Sequence, residues 1–379
     1  MSKENDVSGN TIPLHDRPLT RAYTKLITSS EVAATTQSLG HVVRANTKRA
    51  ALDEKNANAP KKRAVLKDIT NENPPKLENI KQIEKVTCSA VSTVASTLKV
   101  IDIDSDHEDP LLCSLYAPEI YHNMRVAELQ RRPFPDYMKR TQRDVTQTMR
   151  GILVDWLVEV SEEYKLVPDT LYLTVYLIDW FLHGNYIEKE RLQLLGVTCM
   201  LIASKYEEIF APGIEEFCFI TDSTYTKDQV LEMESQVLKH FSFQIYTPTS
   251  KTFLRRFLRA ALASDLQKPS VEMEFLANYL MELTLLDYEF LKFLPSVIAA
   301  SAVFLAKWTL NQSSHPWNPT LEHYTTFKAS DLKASVHALQ DLQLNTKGCS
   351  LTSIRVKYKQ EKFKSVAVLS SPELPDKLF

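Results

Sequence analysis

A chain of 379 residues has room for two folded domains and a tail. With 44% apolar and 24% charged residues it reads as a soluble globular protein, and its seven glycines suit helices with short connections better than many-turned sheets. Charge is uneven: residues 1–100 hold 16 Lys and Arg against 10 Asp and Glu, and the remainder 29 against 37, so a basic stretch precedes an acidic body that argues against a direct nucleic-acid surface.

The five cysteines (Cys88, Cys113, Cys199, Cys218, Cys349) form no C-x-x-C pair, so neither a zinc site nor a disulfide framework is expected, and a reducing compartment fits. The longest uncharged apolar runs, near 192–204 and 293–306, fall short of the ~18 residues of a membrane span, and the N-terminus shows no apolar signal core.

Residues 1–105 lack sustained periodicity and are rich in Ser, Thr, Asn, Lys and Ala, which predicts a disordered tail. Such a tail suits short linear signals. Lys3-Glu4-Asn5 matches a KEN degradation motif, and Arg49-Ala-Ala-Leu52 is a bare R-x-x-L. More specific is Arg63, Leu66, Ile69 and Asn71, which fit an extended destruction box, R-x-x-L-x-x-I-x-N. An extended peptide there offers a receptor groove one cation, spaced apolar anchors and an amide. Lys61-Lys62-Arg63 could serve as a minimal nuclear-import patch. The acidic run from Asp102 to Asp109 reads as a solvated linker.

Helical periodicity begins at Leu111. Tyr116, Ile120, Met124 and Leu129 predict an amphipathic helix ended by Arg131-Arg-Pro-Phe-Pro135. Asp144 with Gln147 reads as a capping box for the next helix, about 146–164. Its Met149, Ile152, Leu153, Trp156 and Val160 recur at spacings of three and four. Spacing alone supports core packing for that stripe. Helices follow at 171–183, 188–206 (uncharged on every face from Leu192 to Ala203), 213–220, and from Thr226, capped by Gln229. One wholly apolar helix among five predicts a compact bundle.

After Thr247-Pro248-Thr249 a second set follows at 250–263, 271–287, 295–310, 331–342 and 351–363, again with an apolar central helix, Pro295–Leu310. The predicted fold class is therefore all-α: two tandem five-helix bundles, 111–246 and 247–365, behind a disordered tail. Ser371-Pro372 is a minimal proline-directed phosphorylation site.

Nothing in the chain reads as an enzyme. P-loop, G-x-G-x-x-G, H-E-x-x-H and G-x-S-x-G motifs are lacking, the nine histidines show no ligand spacing, and adjacent Glu207 and Glu208 point about 100° apart on a helix. Neither a catalytic residue, a metal nor a cofactor is expected.

Met149-Arg-Gly-Ile-Leu-Val-Asp-Trp-Leu resembles the signature of the first cyclin-box helix, and LVDWLVEV (153–160) resembles its A-type form. Leu192-Gln-Leu-Leu-Gly196, Ala203-Ser-Lys-Tyr-Glu-Glu208 and Leu231-Glu-Met-Glu234 continue the cyclin pattern, and Gly151, where animal members carry alanine, points to a plant-like member. The resemblance implies a regulatory subunit of a cyclin-dependent Ser/Thr kinase, nuclear, active in mitosis, and destroyed through the anaphase-promoting ubiquitin ligase. By resemblance Lys205 and Glu234 would hydrogen-bond the kinase, with Phe243 and Ile245 as apolar contacts. Met149, Ile152, Leu153, Trp156, Leu192 and Gln193 would form a groove for R-x-L substrates and inhibitors, and Glu159 would attract the peptide's cation. A TFIIB-like transcription factor shares the twin-bundle fold and remains the alternative, although it would bring a zinc ribbon and a basic core.

Overall fold

The computed structural model describes residues 100–263 and 270–379, all helices, turns and connections, with no strand among them. The helices are α1 (Ala117–Gln130), α2 (Tyr137–Arg140), α3 (Gln147–Glu163), α4 (Pro168–Gly184), α5 (Leu192–Glu207), α6 (Ile214–Phe219) and α7 (Lys227–His240). A second series follows: α8 (Ser250–Ala263), α9 (Val271–Leu283), α10 (Pro295–Leu310), α11 (Pro319–Thr325), α12 (Ala329–Leu344) and α13 (Ser353–Tyr358).

Two apolar helices organise the body. Every residue of α5 from Leu192 to Ser204 is buried, because α3, α4, α6 and α7 pack around it. In the second bundle α10 takes that place, enclosed by α8, α9 and α12. Its small residues, Ala299, Ala300, Ser301 and Ala302, are all buried and let neighbours approach closely. Local chemistry sets the ends. Pro168 and Pro295 occupy first-turn positions, where a missing N–H costs nothing. Thr226 and Gln229 close a reciprocal capping box on α7.

Several boundaries differ from expectation. The cap of α3 is Thr146, whose hydroxyl accepts from Met149 N at 3.2 Å; Asp144 lies outside the helix and accepts from the Tyr186 hydroxyl at 2.6 Å. Helix α9 stops at Leu283, short of Asp287, and Asp287 caps a separate 3-10 turn, Tyr288–Lys292. The short α11, capped by Asn318, has too few apolar positions to announce itself.

The buried face of α1 is Ala117, Tyr121, Met124 and Glu128, whereas Tyr116, Ile120 and Leu129 face solvent. Glu128 decides this rotation. Its carboxylate accepts from Ser296 N at 2.9 Å and Ser296 Oγ at 2.7 Å, at the N-terminal turn of α10, where the helix dipole favours an anion. Burial raises its pKa, opposed by the Ser296 bonds and by Arg125. A charged residue thus takes a place that apolar periodicity would have given to a neighbour.

A buried ion pair joins the bundles. Arg150 on α3 meets Asp179 on α4 through Nε–Oδ1 and NH2–Oδ2 contacts of 2.7 Å each. Asp179 also accepts from the Tyr137 hydroxyl at 2.8 Å, and Arg150 NH1 donates to Leu285 O, just past α9, at 2.6 Å. Burial, the largest single influence, lowers the guanidinium's pKa, but the charge and hydrogen bonds of Asp179 together with Tyr137 outweigh it and the net direction is upward.

Candidate functional site

Where α5 leaves the core its chemistry changes abruptly. Ser204 is fully buried, and the next residue, Lys205, carries a half-exposed ammonium at the C-terminal turn, where a cation suits the dipole. Helix α7 packs beside α5 and presents Glu234, and Lys205 Nζ donates to Glu234 Oε1 at 2.6 Å. Two residues separated by 29 positions are thus joined on the surface of the first bundle.

A collar of exposed apolar residues follows both members of this pair in the chain. Ile209 and Phe210, in the turn after α5, are 91% and 92% exposed. Phe243, in the left-handed turn that ends α7 (φ 60°), is 70% exposed. Tyr206 and Tyr246 are about half exposed, while Ile245 is partly buried against the core. Burial raises the Tyr246 phenol, helped by nearby Tyr206 and Glu207. Sequence reasoning missed Ile209 and Phe210, although large apolar residues in Glu-Glu-Ile-Phe-Ala-Pro, where no helix can bury them, were a signal.

Glu207 and Glu208 do not form a paired-carboxylate site. Glu208 accepts from Val167 N at 2.7 Å and Thr170 Oγ1 at 2.6 Å, supplying the side-chain cap that α4 otherwise lacks. No group of three or more His, Cys, Asp or Glu among the described residues is placed to hold a metal. No helix among them is long and apolar enough to cross a membrane.

The expected groove residues on α3 and at the start of α5 are of two kinds. Leu153, Trp156 and Leu192 are core, 1–3% exposed, whereas Met149 and Ile152 are half-buried. Gly196 explains the depth of Leu153: a Cβ there would stand 2.8 Å from Leu153 Cδ1, so glycine lets α5 close on α3. Gln193 lies beside Leu192 and is buried, yet neither its amide oxygen nor its nitrogen has a hydrogen-bond partner. Both of its polar atoms have given up water without replacement.

Glu159 accepts from Ser353 Oγ at 2.9 Å. With Gly151, Ile152 and Asp155 it lines a cleft of about 1120 Å³, closed on the other side by residues 345–352. A Cβ at Gly151 would lie 3.1 Å from Leu351 Cδ1, so this glycine marks where that loop approaches α3.

The degradation motifs, Lys3–Asn5, Arg49–Leu52 and Arg63–Asn71, lie outside the described residues. Ser371 is buried and its Oγ accepts from Gln340 Nε2 at 3.2 Å, which removes Ser371-Pro372 from the accessible surface. The acidic run is solvated only in part, at Asp102, Asp106 and Glu108. Asp104 pairs with Arg256 on α8, and Ile103, in the same run, is buried.

The cyclin N-terminal domain family matches residues 119–246 and the cyclin C-terminal domain family residues 248–372. Cyclin-A2-4 of Arabidopsis thaliana is 68% identical in an alignment covering all of both chains, and Cyclin-A2-3 of the same plant is 59% identical with the same coverage. Among solved structures, a viral cyclin from herpesvirus saimiri shares the fold: TM-score 0.52, 20% identity, covering 59% of this chain and 96% of that one. These comparisons do not favour a twin-bundle transcription factor. Two matched domains in tandem on an all-helical body, together with full-length relatives in a flowering plant, establish that the chain belongs to the cyclin family, in its plant A-type branch.

Proposed function

We propose that this chain activates a cyclin-dependent Ser/Thr kinase by pressing the Lys205–Glu234 surface against the kinase's mobile αC helix. As a cyclin it is a regulatory subunit and not an enzyme. The observation that carries the reading is the partly exposed ion pair together with the apolar side chains left exposed in the turns that follow it. Lys205 directs one of an ammonium's three N–H donors at Glu234. Ile209 and Phe210 are almost wholly in water, and burying each against a partner is worth about 1.5–3 kcal/mol. A partner that covers the collar and hydrogen-bonds the pair in one conformation only is shifted toward that conformation. For a kinase, that conformation is αC turned inward, with its Lys–Glu pair formed and the nucleotide aligned. Phe243 and Ile245 extend the same contact, and the exposed Ile120 and Leu129 of α1, with Tyr116 just before it, offer a second one. Mixing the chain with a cyclin-dependent kinase and measuring phosphoryl transfer tests the reading: no activation sinks it.

We assign R-x-L substrate and inhibitor docking to the α3–α5 surface, with Met149, Ile152 and Gln193 in contact, Leu153, Trp156 and Leu192 as the floor beneath, and Glu159 receiving the cation. The support is the orphaned amide of Gln193, a donor and an acceptor that an extended peptide backbone would satisfy. Gln193→Leu should leave the fold unharmed or slightly more stable, since it removes an unsatisfied buried amide worth about 1–3 kcal/mol. The same change should weaken R-x-L peptide binding roughly tenfold, the equivalent of about 1.4 kcal/mol. Calorimetry with a labelled peptide checks both, and unchanged affinity removes Gln193 from the site. Trp156→Ala is a poor probe, because emptying that core position costs about 3–5 kcal/mol.

The tail is assigned to ubiquitin-directed destruction in mitosis through Arg63, Leu66, Ile69 and Asn71, recognised by the anaphase-promoting ligase, with Lys3-Glu4-Asn5 as a second signal. Residence in the nucleus accords with Lys61-Lys62-Arg63. Arg63→Ala with Leu66→Ala should lengthen the protein's half-life severalfold as dividing cells leave mitosis. An unaltered decay in a chase experiment would move the assignment to Lys3–Asn5 or Arg49–Leu52.

A further inference from the structure

Residues 100–106 form a strap across the second bundle. Ile101 N donates to Thr320 Oγ1 at 3.1 Å and Ile103 N to the Tyr324 hydroxyl at 3.0 Å. Asp104 grips Arg256 by two contacts of 2.7 and 2.6 Å, the planar bidentate geometry that makes such pairs strong. The guanidinium also lies 4.7 Å from the Tyr121 ring centroid and 5.0 Å from that of Tyr324. Arg256 has company. Arg255 and Arg259 stand on the same helix, and the Tyr121 phenol, raised chiefly by burial, feels all three arginines and Asp104. The carboxylates paired with this arginine face are Asp104 and, through Arg255, Asp169. Arg259 is the one arginine of the three without an ion pair among the described residues.

Ser105 follows the gripping residue directly. Its side chain is exposed, its backbone is non-helical, and its hydroxyl donates to Asp102 O at 3.2 Å. Carboxylates surround it in sequence: Asp102 and Asp104 before, Asp106, Glu108 and Asp109 after. A kinase with a basic substrate cleft recognises this arrangement, an accessible serine with acids at the first, third and fourth positions beyond it, by charge complementarity.

We propose that Ser105 is a phosphoacceptor for an acid-directed Ser/Thr protein kinase, and that the phosphate tightens the strap on the arginine face of α8. In the step, Ser105 Oγ bonds to the γ-phosphorus of Mg-ATP, the β–γ bridging P–O bond breaks, ADP leaves, and the serine proton passes to that kinase's base. The product carries about −1.5 to −2 charge near neutral pH, for which Arg259 is the unpaired guanidinium of this face. This inference is independent of how the chain binds its own kinase, since it uses neither Lys205 nor the collar.

The test uses the full chain, Mg-ATP and a protein kinase of acidic sequence preference, read by tandem mass spectrometry. One phosphate should appear at Ser105, be lost in Ser105→Ala, and fall at least fivefold in Glu108→Gln. The phosphorylated chain should melt about 2–4 °C higher, the shift that roughly one new charge-assisted bond gives a domain of this size. That rise should vanish in Arg259→Gln, which leaves Arg256–Asp104 and Arg255–Asp169 in place. Absence of phosphate at Ser105 in the folded chain overturns the site. A midpoint that is unchanged or lower on phosphorylation overturns the tightening.

Discussion

Arg150→Ala should destabilise the folded body by about 3–5 kcal/mol, the usual cost of stranding one member of a buried ion pair. The side chain is 2% exposed, so its charge is paired out of contact with bulk water. Its loss leaves Asp179 buried with only the Tyr137 hydroxyl as a hydrogen-bond donor among the bonds described above, and leaves Leu285 O without that of Arg150. Because Arg150 reaches α4 and the segment after α9 together, the damage spreads to both bundles. A drop in the thermal midpoint of about 6–20 °C follows at roughly 2–4 °C per kcal/mol. Asp179→Asn should cost less, since an amide keeps one acceptor for Arg150. The double change Arg150→Met with Asp179→Leu should recover much of the loss, because a well-packed apolar pair avoids the desolvation cost of two charges. A single-mutant midpoint within 2 °C of wild type would show that the pair is dispensable.

Lys205→Ala with Glu234→Ala should have the opposite profile. The pair is partly exposed, and such pairs contribute about 0–1 kcal/mol, so the midpoint should hardly move. Kinase association should fall by about 30-fold or more, because truncating groups that become desolvated at an interface costs about 2–5 kcal/mol. Kinase activity at fixed cyclin concentration should fall in parallel. Phe210→Ser should weaken binding as well, through lost apolar burial, with little effect on salt dependence. If the double alanine chain binds and activates normally, the Lys205–Glu234 surface is not the kinase contact and the proposed function fails with it.

These two sites were unequally visible in the chain. Lys205 and Glu234 stand in segments whose residue order alone matched the cyclin pattern, so they could be nominated without coordinates. Arg150 stands in such a segment too, but its partner Asp179 is 29 residues away on another helix, and no local pattern announces a bond across that gap. The same holds for Lys357 and Tyr358, which both reach buried Glu282 at 2.8 Å from a distant part of the chain. Apolar period assigned Leu153 and Trp156 to the core, and both are buried there. It marks a stripe, but what covers a stripe depends on the neighbour, here α5 brought close by Gly196.

The sequence by itself determined most of the helical segments, α2 and α11 excepted, and which two of them are central. The bounds of α8 and α10 and the capping box of α7 follow from short-range chemistry: apolar spacing, proline at a first turn, a hydroxyl three residues before an amide. Only the tertiary structure decided which face each helix buries and which charges meet. The rotation of α1 was settled by Glu128 at the start of α10, and the strap by Arg256 between two tyrosines. The physical reason is range. Periodicity and capping act within a turn or two, whereas desolvation obliges a buried charge to find its partner wherever the folded chain supplies one.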